Sequence, residues 1–263
     1  MDSPARVSVS REGRVAVVTV DRQEVLNALD PPALADLIQA FRELGQDDAV
    51  RAAVLAGAGR AFMAGADVRA MSGMSASEFR RFAGEIQELT RVLRGSRVPV
   101  IAAIGGPAAG AGCEIACACD LRIASAEATF SFPEVRIGLV VTSGASHLLP
   151  RIVGRGWARR LLLTGEAISA EVAHRVGLVD EVVEPSGLLE AAVGMAGRIA
   201  AAEPLAVTLS RRLLDGGEEG SLEIAMRHEV EAILSCLTEG AAREGFAAFL
   251  EKRQPGYSLE GQG

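Results

Sequence analysis

Lysine is almost absent from this chain, since Lys252 is the only one among 263 residues. Arginine supplies the other positive charges, and the formal net charge is −7. The chain therefore lacks the lysine of a Walker-type phosphate-binding loop. An acidic balance is also untypical of a general nucleic-acid-binding protein, so we expect no nucleic-acid partner. An anionic ligand stays compatible with this charge because it needs only a local basic pocket or a helix N-terminus.

Histidine and cysteine are scarce as well, with three and four residues in the chain. Cys113, Cys117 and Cys119 lie in one segment, but no histidine is close to them in sequence. Their spacing matches no zinc-binding pattern. Small buried core residues in a reducing compartment explain these thiols better, so we predict no metal site.

A signal peptide and an uninterrupted hydrophobic span are also missing from the sequence. The first 14 residues are polar. The apolar stretch 98–119 contains two prolines, four glycines and Glu114, and this pattern favours a buried strand, loop and helix over a membrane span. We therefore expect a cytoplasmic protein with no membrane partner.

Strand and helix patterns alternate through the first two thirds of the chain. Apolar, β-branched runs predict strands at 7–10, 14–21, 51–56, 98–104, 121–124 and 129–132. Helical patterns occupy 31–45, 76–94 and 112–119. Asp30 is predicted to cap the first of these helices, and Ser75 and Glu78 are predicted to form a capping box at the start of the second. The alternation of strands and helices predicts an α/β fold with a mostly parallel sheet. Beyond Ser186 only helical patterns remain, at 188–202, 204–215, 221–237 and 241–253. We predict a core at 1–186 and a helical region at 187–263.

Two glutamates stand in unusually apolar surroundings. Glu114 follows the glycine-rich run 105–113, and Glu134 follows the short strand-like segment 128–133. A buried carboxylate is costly unless it is paired, hydrogen-bonded or protonated. Two of them in one apolar region indicate acid/base chemistry in a small pocket.

Two loops rich in small residues accompany these glutamates. Gly110-Ala111-Gly112 directly precedes a predicted helix, where unpaired N–H groups at the positive end of the dipole suit a phosphate or an oxyanion. Tight strand–helix packing explains the same glycines equally well. A dinucleotide-binding motif is disfavoured because its third glycine would fall at Ile115. The loop 61–67 follows another predicted strand, so the two loops can each direct one N–H group at a single oxygen, as stabilisation of an enolate or a tetrahedral oxyanion requires.

The motifs resemble those of the enoyl-CoA hydratase/isomerase (crotonase) superfamily along nearly the whole chain. They are Leu26-Asn27-Ala28-Leu29, Ala64-Gly65-Ala66-Asp67-Val68, Gly110-Ala111-Gly112-Cys113-Glu114, Phe132-Pro133-Glu134 and Phe249-Leu250-Glu251-Lys252-Arg253. The resemblance implies a crotonase-type spiral of repeated β-β-α units with a C-terminal helical trimerisation region. It implies an acyl-CoA thioester substrate and a homotrimer or a dimer of trimers.

The resemblance also implies a reaction. Backbone N–H groups of Ala66 and Ala111 would form an oxyanion hole for the thioester enolate. Glu114 would deprotonate water and a protonated Glu134 would deliver a proton to C2, so that a trans-2-enoyl-CoA becomes a 3-hydroxyacyl-CoA. No separate cofactor is implied, since CoA is part of the substrate. The alternatives are an enoyl-CoA isomerase or other acyl-CoA enzyme of this type, and a non-catalytic CoA-binding member.

Substrate contacts are implied for a further group of residues: Glu24, Val25, Leu26, Ala64, Asp67, Val68, Arg69, Thr142 and Lys252. Lys252 corresponds to a position that reaches a neighbouring subunit's CoA phosphates, and a solvated helix lysine is the equally weighted alternative. Thr142 stands where hydratases have a glycine whose backbone helps bind the catalytic water. Ala111 stands where hydratases commonly have glycine, and its methyl group narrows the approach to the N–H group.

Overall fold

The computed structural model describes residues 6–217 and 221–257. The chain divides into two compact units, of which the first ends at Ala196 and the second begins at Gly197. From the sequence we predicted a catalytic core at 1–186 and an oligomerisation region at 187–263. This division stays a prediction.

Two sheets form the framework of the first unit. The larger sheet has the strand order β1-β2-β3-β4-β6-β9, and the smaller has the order β5-β7-β8. Only β1 is antiparallel to its neighbour in the larger sheet, so the predicted mostly parallel sheet is confirmed. The strands are β1 (Val7–Glu12), β2 (Val15–Val20), β3 (Ala52–Gly57), β4 (Val100–Ile104), β5 (Pro107–Ala109), β6 (Leu121–Ser125), β7 (Thr129–Ser131), β8 (Ala167–Ser169) and β9 (Glu181–Val183).

Seven helices begin in the described part of the first unit, and three more belong to the second unit. They are α1 (Pro31–Gln46), α2 (Val68–Met71), α3 (Ala76–Gly95), α4 (Ala111–Ala118), α5 (Ala145–Thr164), α6 (Ala170–Arg175), α7 (Leu188–Ala201), α8 (Pro204–Gly217), α9 (Leu222–Thr238) and α10 (Ala241–Glu251). The predicted N-cap of α1 is confirmed, because the Asp30 side chain accepts a hydrogen bond from Ala33 N. The predicted capping box of α3, formed by Ser75 and Glu78, is also present.

The core of the first unit lies between the larger sheet and its helices. Every residue of β4 is buried, as are the first four residues of β2 and of β3. Strands buried on both faces read as continuous apolar runs, which explains why the sequence predicted them. Helices α1 and α3 pack against each other, and each contributes a buried apolar stripe to this core.

Close contact between two loops depends on glycine. A Cβ atom at Gly112 would lie 2.1 Å from the Met63 carbonyl oxygen, and one at Gly106 would lie 2.0 Å from that of Arg60. Each contact joins the loop after β3 to the chain that follows β4. The structure therefore explains these two glycines by tight backbone packing, which brings the two loops together.

The second unit is helical and exposes many apolar side chains. No residue of α8 or α9 is buried, and Phe249 and Leu250 of α10 are about four-fifths exposed, at 83% and 79%. Among the described residues, no single helix is long and apolar enough to span a membrane. One bent pair of helical segments, Pro185–Ala201 with Pro204–Gly217, has the length and apolar composition of a span only when the two segments are counted together.

Candidate active site

Ala66 pairs with Leu29 in an isolated parallel β-bridge, and its own N–H group points away from the segment that contains Leu29. Leu29 N donates to Gly65 O at 2.8 Å, and Asp67 N donates to Leu29 O at 2.8 Å. In a parallel bridge the residue between those two groups directs its N–H to the opposite side. Within residues 6–217 and 221–257 this N–H of Ala66 has no hydrogen-bond partner.

Ala111 is the first residue of α4, so its N–H group lacks a partner inside the helix. The first intrahelical-type bond runs from Glu114 N to Gly110 O at 2.9 Å. The other loop is adjacent, since a Cβ atom at Gly65 would lie 3.8 Å from Ala111 N. The two N–H groups predicted to form an oxyanion hole therefore belong to neighbouring, tightly packed loops.

A cavity of about 190 Å³ joins these loops to both glutamates. Seven of the predicted site residues line it: Ala64, Ala66, Val68, Ala111, Glu114, Glu134 and Thr142. Apolar side chains complete the wall, and α3 contributes Phe79, Phe82, Ala83 and Ile86. The cavity thus combines a polar end with two carboxyl groups and an apolar side.

Glu114 is buried in the first turn of α4, with 1% of its surface exposed. Its Oε2 atom accepts hydrogen bonds from Thr142 N, at 2.8 Å, and from Ser143 N. Burial, together with the nearby Glu134, raises the pKa of Glu114 to about 7, although the two N–H donors act in the opposite direction. Thr142 therefore holds Glu114 through its backbone N–H group, and the same residue lines the cavity.

Glu134 lies in the 3-10 turn Pro133–Ile137. Its Oε1 atom would lie 2.9 Å from a Cβ at Gly110, so glycine at that position leaves room for the carboxyl group. Its Oε2 atom is buried and has no hydrogen-bond partner in the described part of the chain. Burial raises the pKa of Glu134. Two carboxyl groups this close titrate as a pair that shares protons.

Comparison with known proteins now identifies the family. The sequence profile described as enoyl-CoA hydratase/isomerase matches residues 10–260. The chain belongs to the enoyl-CoA hydratase/isomerase family. It is 40% identical to a short-chain-enoyl-CoA hydratase from Clostridium acetobutylicum over 249 residues, which cover 94% of this chain and 95% of the relative. It is 38% identical to a crotonyl-CoA hydratase from Syntrophomonas wolfei over 252 residues, covering 95% and 97%.

A solved structure agrees with this family assignment. An enoyl-CoA hydratase from Bacillus anthracis superimposes with a TM-score of 0.94 and 32% sequence identity, covering 97% of this chain and 100% of the other. The resemblance to the superfamily and the predicted fold class are therefore both confirmed.

The remaining residues predicted to contact substrate do not line the cavity. Glu24, Val25 and Leu26 form a 3-10 turn and its end, and Leu26 O accepts a hydrogen bond from Ala64 N at 3.0 Å. Arg69 is exposed on α2. Lys252 ends α10 in the second unit. The roles of these residues in this family member stay predictions.

Asp67 has a structural use that the sequence analysis did not anticipate. Its Oδ1 atom accepts hydrogen bonds from Arg69 N, at 3.0 Å, and Ala70 N, at 3.3 Å, and so caps α2. Its Oδ2 atom lies 3.4 Å from Arg22, which also pairs with Asp30 at 2.9 Å. This ion network fixes the loop that carries Ala66, and a direct contact of Asp67 with CoA stays a prediction.

Asn27 directly follows the turn that is predicted to contact CoA, and its structural role was not predicted from the sequence. It is fully buried, and its Nδ2 atom donates to Ala58 O at 2.9 Å and Ala61 O at 2.8 Å. Its Oδ1 atom accepts from Arg22 N at 2.8 Å. Asn27 also has a φ of 58°, a conformation that asparagine tolerates better than most residues. The side chain thereby ties the predicted CoA-binding turn to the loop that precedes Ala66.

The cysteines are buried core residues, as predicted. Cys113, Cys117 and Cys119 are buried, and none of them forms a disulfide. Burial raises the pKa of the Cys117 thiol to about 12 and raises the pKa of the Cys113 thiol well above its usual value, so both thiols are neutral. Among the residues that the structure describes, no group of three or more His, Cys, Asp or Glu side chains is arranged to hold a metal ion.

Proposed function

We propose that this family member is an enoyl-CoA hydratase, a hydro-lyase that adds water across the double bond of a trans-2-enoyl-CoA. One observation carries the proposal: Glu114 and Glu134 converge in a cavity that also receives the loops of Ala66 and Ala111. The two relatives described above, a short-chain-enoyl-CoA hydratase and a crotonyl-CoA hydratase, support the same activity.

The thioester oxygen is stabilised by the unpaired N–H groups of Ala66 and Ala111. Addition of water at C3 moves electrons into an enolate, whose oxygen carries the developing negative charge. A preorganised N–H donor in such a hole contributes about 3 kcal/mol to transition-state stabilisation. The methyl group of Ala111 leaves its N–H group available for this bond, so the departure from glycine does not remove the donor.

The two carboxyl groups divide the acid and base roles. Thr142 N and Ser143 N donate to Glu114 Oε2 and favour its anionic form, so Glu114 accepts a proton from water as the oxygen bonds to C3. Glu134 has an unpartnered buried oxygen, which favours its protonated form, and it delivers its proton to C2. A proton then passes from Glu114 to Glu134, directly within the cavity or by exchange with solvent, and restores the starting state.

The acyl chain occupies the apolar side of the cavity, against Phe82 and Ile86 of α3. The CoA portion runs past the turn at Glu24, Val25 and Leu26. We further propose a homotrimer or a dimer of trimers, in which the exposed apolar side chains of α9 and α10 are covered. Lys252 would reach the CoA phosphates of a neighbouring subunit in such an assembly.

Loss of enoyl-thioester absorbance with crotonyl-CoA tests the activity. We expect Glu114→Gln and Glu134→Gln each to lower kcat by about 10²–10⁴-fold, the usual contribution of a positioned acid or base. Full hydration activity in either variant would refute the two-carboxylate mechanism. Double-bond migration in a 3-enoyl-CoA that survives one of the two substitutions would instead identify an isomerase.

A further inference from the structure

The hydroxyl group of Thr90, in α3, donates its hydrogen bond to a carbonyl oxygen outside its own helix. The hydroxyl groups of Thr164, Thr208 and Thr238 each donate to the backbone oxygen four residues earlier. That arrangement is common for threonine in helices. Thr90 Oγ1 instead donates to Ser143 O at 3.1 Å and also bonds Ser143 Oγ.

Both hydroxyl groups are satisfied by a single arrangement. A hydroxyl has one proton, so Thr90 donates to the Ser143 carbonyl oxygen and accepts the proton of the Ser143 hydroxyl. Gln87 lies one helical turn earlier on the same face of α3, and its Nε2 atom donates to Thr142 O at 3.1 Å. Helix α3 therefore holds two consecutive carbonyl groups of the segment 142–143.

The N–H groups of this segment face Glu114. Thr142 N and Ser143 N both donate to Glu114 Oε2, so this segment lies between α3 and the buried carboxylate. Ser143 is itself buried, with 1% of its surface exposed. Because a peptide plane is rigid, the bond from Gln87 to Thr142 O also fixes the direction of the Ser143 N–H group. Thr90 bonds both the carbonyl and the hydroxyl group of Ser143, and so it fixes the position of the residue that carries this N–H group.

We propose that Thr90 is a positioning residue for Glu114, which acts by holding the segment 142–143 so that both of its N–H groups point at the carboxylate. Thr90 does not line the cavity and does not touch the reacting atoms. Gln87 supports the same segment from a more exposed position. The catalytic consequence of this arrangement rests on the proposed hydratase activity.

Thr90→Val tests the role of the hydroxyl group while keeping the shape of the side chain. Loss of one hydrogen bond that orients the base corresponds to about a tenfold fall in kcat. KM for crotonyl-CoA should stay unchanged, because Thr90 makes no contact with the cavity. Thr90→Ser should restore kcat because it restores the hydroxyl. Thr238→Val is the matched control, since that hydroxyl bonds only carbonyl groups of its own helix.

A double-mutant comparison separates positioning of Glu114 from general loosening of the site. In a Glu114→Gln background, Thr90→Val should cause no further fall in kcat, because the base that it positions is already gone. An equal fall in both backgrounds would overturn the inference. An unchanged kcat in Thr90→Val, or a rise in KM alone, would overturn it as well.

A titration provides a readout that needs no activity. The carbon-13 NMR signal of the Glu114 carboxyl, assigned with Glu114→Gln, reports its pKa directly. The groups that titrate around it are Glu134 in the turn 133–137 and the neutral thiols Cys113 and Cys117 on α4. The groups of α3 and of the segment 142–143 that contact this site are uncharged, and His147 in the first turn of α5 is exposed.

We expect a higher Glu114 pKa in Thr90→Val than in wild type, because weaker N–H donation stabilises the carboxylate less. An unchanged pKa would refute the inference, whatever the enzyme catalyses. A wild-type protein that does not hydrate crotonyl-CoA would refute the proposed function, while the titration would still decide the role of Thr90.

Discussion

Glu114→Gln should inactivate the enzyme and stabilise its fold at neutral and alkaline pH. The carboxyl of Glu114 has a pKa of 4.5 as a reference and about 7 in the folded protein, chiefly because burial opposes its charge. A folded pKa above the unfolded one means that the folded state binds more protons between these two values. The contribution of Glu114 to the free energy of unfolding is therefore fully present below about pH 4.5 and is lost progressively as pH rises through about 7.

The magnitude follows from the same two pKa values. At about 1.36 kcal/mol for each tenfold change in proton affinity, the ionised Glu114 lowers the free energy of unfolding by about 3 kcal/mol above pH 7. Glutamine has nearly the same shape and no charge, and its Oε1 atom still accepts from Thr142 N and Ser143 N. We expect Glu114→Gln to gain about 2–3 kcal/mol over wild type at pH 8 and little at pH 5.

Urea denaturation at pH 5 and pH 8 measures this difference directly. Glu12→Gln in β1 is the control, because Glu12 is exposed and its substitution should leave the stability unchanged at both pH values within about 0.5 kcal/mol. A Glu114→Gln variant that is no more stable than wild type at pH 8 would refute the argument that burial of the charged carboxylate lowers the free energy of unfolding. A gain of equal size at pH 5 and pH 8 would refute its electrostatic cause.

Further predictions concern the packing and reactivity of the same site. Gly112→Ala should destabilise the fold by about 1–3 kcal/mol, measured by thermal unfolding, because the added methyl group meets the carbonyl oxygen of Met63. Gly84→Ala is the control and should stabilise α3 slightly, since a Cβ atom there meets nothing within 4 Å. Asn27→Leu should lower the free energy of unfolding by about 3 kcal/mol because it leaves buried backbone groups unpaired. Glu134→Gln should move the acid limb of kcat against pH to lower pH, because the neighbouring carboxyl group of Glu134 is one of the groups that raise the pKa of Glu114. An unmoved limb would exclude that coupling.

The sequence predicted those parts of the fold whose signals are local. The N-cap at Asp30 and the capping box at Ser75 each need only a few neighbouring residues to form. Helix α5 was not predicted, and its sequence contains Pro150 and a non-helical Gly154 where two helical pieces meet. The three-residue strands β8 and β9 are too short to show a period of two.

The glutamates could be found from the sequence because charged residues are conspicuous in an apolar segment. Thr90 and Gln87 could not, because each looks like an ordinary surface residue of an amphipathic helix. Their partners lie more than 50 positions away along the chain, and only the packing of α3 beside the segment 142–143 brings them together. The groups that hold a catalytic residue are therefore harder to recognise than the residue itself.

The difference between the two carboxyl groups likewise depends on the fold. Both glutamates follow small or apolar residues and start a helical turn, so their sequence surroundings do not assign separate roles. In the structure one oxygen of Glu114 receives two backbone N–H groups, while Oε2 of Glu134 receives no bond from any described residue. Donors stabilise a carboxylate and burial without donors stabilises its acid. This asymmetry, which arises from the segment 142–143, supports the roles proposed above for Glu114 as the base and Glu134 as the acid.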